Sequence, residues 1–242
     1  MKLLFIRHGD PDYENDCLTE QGEREARLLA EYLAKTPADA AYVSPLGRAR
    51  QTARYTLDAW GMKAAVCDWL REFDPRIHRP DRAETLSIAW DWLPQDWTQE
   101  PDFFSVETWM RPKAIAESDT PEKYREVCAG LDALLDRHGC RRDGKLYRVH
   151  RSNADTIAFF CHFGVESVML GHLLHISPML LWHGFCALPT SVTTVYTEER
   201  REGIASFRVS EYGSLDHLHR AGVTPSFSAR FCERYRDETR HD

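Results

Sequence analysis

KLLFIRHG, residues 2–9, is the stretch on which the fold turns. Leu3, Leu4, Phe5 and Ile6 form an uninterrupted apolar run that stops at a charge. A short run of this kind reads as a buried strand, here delivering Arg7-His8-Gly9 at its carboxyl end. Working outward, residues 10–18 hold Asp10, Pro11, Asp12, Asn15 and Asp16, a loop composition. Thr19 can cap a helix from about Glu20, whose apolar positions Ala26, Leu29, Ala30 and Leu33 keep the helical spacing until Pro37 closes it. Ala40-Ala41-Tyr42-Val43 reads as a second strand, followed by Ser44-Pro45 and a helix from about Leu46. Residues 64–67, AAVC, read as a third strand. Strand, helix, strand, helix, strand in the first 70 residues predicts an α/β fold with a mainly parallel sheet.

The remainder of the chain changes character twice. Residues 74–118 contain Trp90, Trp92, Trp97 and Trp109, several prolines and few β-branched residues, and read as a mostly helical insertion over the active-site end of one domain spanning residues 1–242. A helix is expected over 120–138. Residues 145–150 and 155–161 then read as two strands joined by a turn at Arg151 to Ala154, with a helix following over about Val165 to Leu174. A closing strand pair is expected at 191–197 and 204–209, and a polar tail with a short helix near its end from Glu211.

Bulk properties narrow the function classes. The chain has 242 residues, 43% of them hydrophobic, and a formal net charge of -7, which argues against a nucleic-acid partner. No apolar run is long enough for a membrane span, and the N-terminus lacks a signal peptide's long apolar stretch, so no membrane partner is expected. Seven cysteines without a CxxC pair read as reduced thiols of a cytoplasmic protein.

Four short segments carry residues suited to phosphate chemistry. At the first strand end, an imidazole can attack phosphorus through one ring nitrogen while the other is fixed by an acceptor. Arg7 beside it can hold a phosphoryl oxygen by two parallel hydrogen bonds. Alone, a strand-end histidine is more often structural. The second segment, Ser44-Pro45-Leu46-Gly47-Arg48-Ala49, opens a helix. Arg48 in its first turn opposes the helix dipole, a cost that an anion there would offset. Arg50 and Arg54 read as solvated. The third segment, Leu70-Arg71-Glu72, supplies a carboxyl group suited to protonating a leaving alkoxide. The fourth is Cys161-His162-Phe163-Gly164, a strand-to-helix corner where His162 can donate to a phosphoryl oxygen and Phe163 opens an anion-favouring helix end.

In combination these segments resemble the histidine phosphatase superfamily, also called phosphoglycerate mutase-like. The matching pieces are Arg7-His8-Gly9, Leu18-Thr19-Glu20-Gln21-Gly22, Ser44 to Ala49, Leu70-Arg71-Glu72 and His162-Phe163-Gly164. The resemblance implies that His8 becomes a phosphohistidine, that Arg7, Arg48 and His162 surround the phosphoryl group, and that Glu72 protonates the leaving group. Phe163 joins Arg7, Arg48 and His162 as a phosphate-binding position. Two arginines and a histidine can neutralise the equatorial oxygens, so neither metal nor other cofactor is expected. The pattern departs from the family at Pro11, Glu14, Phe73-Asp74-Pro75-Arg76 and Phe163, which leaves the catalytic group intact and the substrate open. The expected fold is a three-layer α/β sandwich with a mainly parallel central sheet and the helical insertion. The expected function is hydrolysis of a small phosphomonoester. A phosphomutase and a catalytically silent phosphate-binding module are the alternatives, and the oligomeric state is not legible.

Two further features invite readings. His172, His175, His183, His217 and His219 are metal-ligand types, but no HExxH or acidic triplet accompanies them. Arg76, His78, Arg79 and Arg82 follow Glu72 directly and precede the tryptophans. They form either a cationic wall beside the phosphate pocket or a set of ion pairs and surface charges.

Overall fold

The computed structural model describes residues 1–240; residues 241–242, the end of the polar tail, lie outside the described residues. Twelve strands follow one another: β1 Lys2–Arg7, β2 Pro11–Asp12, β3 Cys17–Leu18, β4 Ala40–Val43, β5 Ala65–Val66, β6 Arg76–His78, β7 Leu86–Ile88, β8 Cys140–Asp143, β9 Leu146–Val149, β10 Thr156–Cys161, β11 Val192–Arg201 and β12 Ile204–Ser214. The helices are α1 Glu20–Leu33, α2 Gly47–Trp60, α3 Pro94–Trp97, α4 Lys113–Ala116, α5 Thr120–Arg137, α6 Phe163–Leu174, α7 Pro178–Gly184 and α8 Asp216–Arg220.

Eight strands form one sheet in the order β5-β4-β10-β1-β11-β12-β9-β8. β1 is its centre, parallel to β10 on one side and antiparallel to β11 on the other. Side chains alternate across a strand, so an all-apolar β1 must be covered on both faces. Leu3 and Phe5 join α5, α6 and α7 in one core, together with Ile157 and Phe159 of β10. Leu4 and Ile6 join α1 and α2 in the other, with Ala158 and Phe160. Phe5 stacks on Phe159 at 5.1 Å between ring centroids. The result is helix, sheet, helix: the three-layer α/β sandwich. Parallel pairing is confined to β5-β4-β10-β1, and the rest of the sheet is antiparallel.

Local chemistry explains the element ends. Thr19 caps α1, its hydroxyl accepting from Gly22 N at 3.0 Å. His162 is the N-cap of α6, and His175 ends that helix in a left-handed conformation at φ 58°. The two strands expected at 145–150 and 155–161 are present as β9 and β10, joined by a short loop, but they do not pair with each other. β9 turns back on β8 instead, through a two-residue loop at Gly144, φ 62°, and β12, β11 and β1 separate it from β10. Asp143-Gly144 is a hairpin signal that keeps β9 local, whereas β10 is drawn to the centre by its apolar faces.

The segment over 74–118 is not mostly helical: short helical turns alternate with loops and the β6–β7 hairpin, because its prolines cut the helices short. Its tryptophans pack inward. Trp109 sits edge-on to Tyr124 and Trp182, and Trp92 edge-on to Phe103. Arg79 does not form a cationic wall. It is 1% exposed, donating from Nε and Nη2 to Asp81 at 2.9 and 2.7 Å and from Nη1 to Asp91 O at 2.7 Å. The short helix of the tail, α8, packs against α1, earlier than the end of the chain.

Candidate active site

Three parallel strands ending level with one another build the site. In the β1–β10 register Arg7 faces Cys161, so the next residues, His8 and His162, emerge side by side. Their rings lie 5.0 Å apart. Val43 of β4 faces Phe160, which places Ser44 next to them, its backbone N donating to Phe160 O. His162 Nε2 and Ser44 Oγ are 2.7 Å apart. This is the carboxyl end of the parallel strands, where open α/β sheets gather ligands.

His8 is 1% exposed, and its Nδ1 lies 2.7 Å from Gly9 O. A carbonyl only accepts, so Nδ1 carries the proton and Nε2 keeps its lone pair. Arg48 Nε donates toward that Nε2 at 3.4 Å. Burial, then the charges of Arg7 and Arg48, hold the imidazole well below its ordinary pKa. His162 is shifted the same way by burial, with His8, Arg48 and Arg7 adding to it. Both rings are therefore neutral near pH 7. Ser44 Oγ already accepts from Leu46 N, so its hydrogen is available to His162 Nε2. With that hydrogen given to Nε2, Nδ1 of His162, which has no protein partner, carries the N–H.

Arg7 donates from Nη1 to Ala187 O at 2.6 Å. Arg48, at the start of α2, is held by Asp16, which accepts from its Nη1 and from Gly47 N, both at 2.6 Å. Asp16 thus supplies the negative charge that an arginine in a first helical turn invites. Tyr13 lies over the Arg48 guanidinium at 5.3 Å. Thr52, one turn along α2, accepts from Gly9 N and donates to Arg48 O, tying the His8 loop to that helix.

Glu72 reaches the site from the loop after Leu70. Its Oε1 accepts from Phe73 N at 2.8 Å and from Val165 N at 3.2 Å, in the first turn of α6. Burial raises its pKa against the pull of those amides, Arg7 and Arg48. A Cβ on Gly164 would lie 2.6 Å from Glu72 Oε1, so only glycine admits the carboxyl group there. Phe163 opens α6, and its ring meets Trp90 edge-on at 5.9 Å. Gly9 serves a similar purpose: a Cβ there would lie 2.7 Å from Gly22 O, where the His8 loop crosses α1.

All six expected positions, Arg7, His8, Arg48, Glu72, His162 and Phe163, therefore gather at one end of the sheet. Four of the other candidate histidines are occupied elsewhere. His172 meets Asp132, His175 meets Lys145 O, His183 stacks on Trp97, and His217 meets Thr190. Among the described residues no three His, Cys, Asp or Glu side chains form a metal-sized group. Sequence reasoning missed Asp16, Thr52, the Ala187 carbonyl and the role of Ser44. Only Asp16 left a signal, an acid in the loop facing a helix that begins Gly47-Arg48.

A family model described as "Histidine phosphatase superfamily (branch 1)" matches residues 3–210. The chain belongs to this superfamily. An adenosylcobalamin/alpha-ribazole phosphatase of Salmonella typhi is 25% identical over 193 residues, covering 76% of this chain and 84% of that protein. Phosphoserine phosphatase 1 of Hydrogenobacter thermophilus is 23% identical over 222 residues, covering 87% and 93%. Among solved structures, a phosphoserine phosphatase variant from Entamoeba histolytica, in complex with phosphoserine, superposes with a TM-score of 0.57 at 20% identity, covering 90% of this chain and 98% of that one. In this histidine phosphatase superfamily member, no helix among the described residues is long and apolar enough to cross a membrane.

Proposed function

We propose that the chain is a phosphatase that hydrolyses a small phosphomonoester through a phosphohistidine on His8. The observation that carries this reading is the state of His8: a neutral, buried imidazole, proton fixed on Nδ1, with its Nε2 lone pair among Arg7, Arg48 and His162. Nε2 attacks phosphorus and the ester P–O bond breaks. Arg7, Arg48 and the His162 Nδ1–H neutralise the equatorial oxygens, which is most of what phosphoryl transfer requires. The first amides of α6, beginning at Phe163, add partial positive charge. Glu72, with its raised pKa, gives its proton to the departing alkoxide. It then accepts one from the water that attacks phosphohistidine, which restores His8 and releases inorganic phosphate.

Three relatives are named as phosphatases, of alpha-ribazole, phosphoserine and glucosyl-3-phosphoglycerate, and a probable phosphoglycerate mutase of Yersinia enterocolitica matches over only 36% of the chain. The substrate class is therefore a small phosphorylated metabolite. Cys17, Cys67, Cys128, Cys140, Cys161 and Cys186 are free thiols, which suits a cytoplasmic setting. The test is a screen of phosphomonoesters for release of inorganic phosphate, with acid-quenched protein probed for an acid-labile, base-stable phosphoryl adduct. His8→Ala should lose the adduct and about 10⁴-fold in turnover. Full turnover by that variant would overturn the mechanism.

A further inference from the structure

One buried acid takes no part in these steps. Glu166 lies one turn beyond His162 on α6, a helix whose only other polar side chains are Ser167 and His172, and is 0% exposed. Neither of its carboxylate oxygens has a hydrogen-bond partner of good geometry in the described structure. Buried polar atoms are nearly always paired, so such an acid calls for an explanation.

The surroundings supply one. Sheet alternation turns Arg7 to the same face as Leu3 and Phe5, toward α6. On β11, Thr193 pairs with Phe5, while the preceding Ser191 accepts from Arg7 N through its carbonyl. Tyr212 of β12 packs against the same core. Arg7 Nε, Ser191 Oγ and Tyr212 OH are buried without partners, as Glu166 is. Thr193 Oγ1 accepts from Gly213 N, which leaves its own hydrogen for Glu166 at the margin of hydrogen-bond geometry. A polar layer therefore lies behind Arg7, with one carboxyl group in it.

We propose that Glu166 is a positioning residue for the phosphate cradle: it backs the Nε edge of Arg7, together with Ser191, Thr193 and Tyr212, and sets how much positive charge Arg7 presents to a phosphoryl group. This rests on the reading of Arg7 as a phosphoryl ligand. Burial raises Glu166 to about 7, with Glu72 adding to the rise and Thr193 and Arg7 opposing it. Four ionisable groups face it: Arg7 from β1, Glu72 from the loop above α6, Cys161 from β10 and Tyr212 from β12. Burial pushes the Cys161 thiol and the Tyr212 phenol upward, so both stay neutral near pH 7. Below that pH Glu166 is neutral and Arg7 keeps its full charge. Above it the carboxylate offsets Arg7.

Sulfate is the probe, because its charge is constant over the range of interest and its binding needs no turnover. Calorimetry on the wild-type protein should show affinity falling about tenfold from about pH 6 to about pH 8, while Glu166→Gln falls less than about threefold. Glu72 is present in both proteins, so the difference between the two slopes isolates Glu166. Glu166→Leu should weaken sulfate by about tenfold even at the lower pH, since Arg7 loses its backing. If that variant does not fold, the Gln comparison alone decides. Equal slopes for wild type and Glu166→Gln would overturn the proposal. Different slopes in a protein that hydrolyses no phosphomonoester would sustain the positioning role and overturn the phosphatase reading instead. Hydrolysis with equal slopes would do the reverse.

Discussion

Arg79, in the segment ahead of α5, is 1% exposed, and its guanidinium is spent on Asp81 and the Asp91 carbonyl. Arg7, at the end of β1, is 4% exposed, and among the described residues its only side-chain hydrogen bond runs to the Ala187 carbonyl. Burial alone thus says little about an arginine. A buried cation with its counter-charge in place fastens a loop. One without an ion pair, beside buried carboxyl groups whose pKa values are raised, keeps charge available for an incoming anion.

The sharpest break in that comparison comes from removing each cation. Arg7→Met should lower kcat/KM by about 10²–10³-fold, the usual loss of a transition-state charge donor, with little change in unfolding free energy. Arg79→Met should do the opposite. It should destabilise by about 2–4 kcal/mol, somewhat below the full value for a buried pair because Asp81 reaches solvent, and leave kcat/KM per folded molecule unchanged. Urea unfolding and steady-state kinetics on the same preparations check both. An exchange of the two outcomes would erase the distinction.

The carboxyl group behind Arg7 sharpens it further. Folded Glu166 holds its proton up to about 7, against an ordinary value of 4.5. Between those values the folded protein binds more protons than the unfolded chain, so stability falls as pH rises. Integrated over the interval, the loss is about 3 kcal/mol. Glu166→Gln lacks that term, so wild type measured relative to the variant should lose about this much between about pH 4.5 and about pH 7.5. A constant difference in urea midpoints across that range would mean that Glu166 is not perturbed.

Glu72 provides the smallest and most selective effect. An alkoxide needs a proton as it leaves, whereas p-nitrophenolate scarcely does. Glu72→Gln should slow an alkyl phosphate roughly 10²-fold and p-nitrophenyl phosphate less than about tenfold. Equal slowing of both would reassign the proton donor.

The legible parts of this molecule are those whose signal is local. β1, β4 and β10 announce themselves as apolar runs, α1 by Thr19 and its helical spacing, and the phosphate-facing residues by their position just past strand ends. Sheet order is non-local and was not legible: β9 and β10 lie near each other in the chain, but β1, β11 and β12 stand between them in the sheet. The residues that support the cradle were harder still. Asp16 looks like one loop acid among several, and Ser44 like a turn residue. Glu166 has a readable signal, the single charged residue in a run of apolar and small residues from Phe163 to Leu170, but a lone glutamate on a helix is ordinarily a surface residue. Arg79 shows the converse: one arginine of the basic run after Glu72 belongs to the packing of its own segment, while Arg76 and His78 are exposed.

β10 has one further consequence, for the order in which the site comes into being. It is inserted between β4 and β1, so it acts as a spacer as well as the source of His162. Adjacent strands lie about 4.8 Å apart, so the ends that carry His8 and Ser44 stand about 10 Å apart with one strand between them. A nascent chain that has reached residue 150 already contains Arg7, His8, Arg48 and Glu72, yet β1 has neither of its two sheet neighbours, β10 and β11. His8 is made well before β10, the wedge that gives it a pocket.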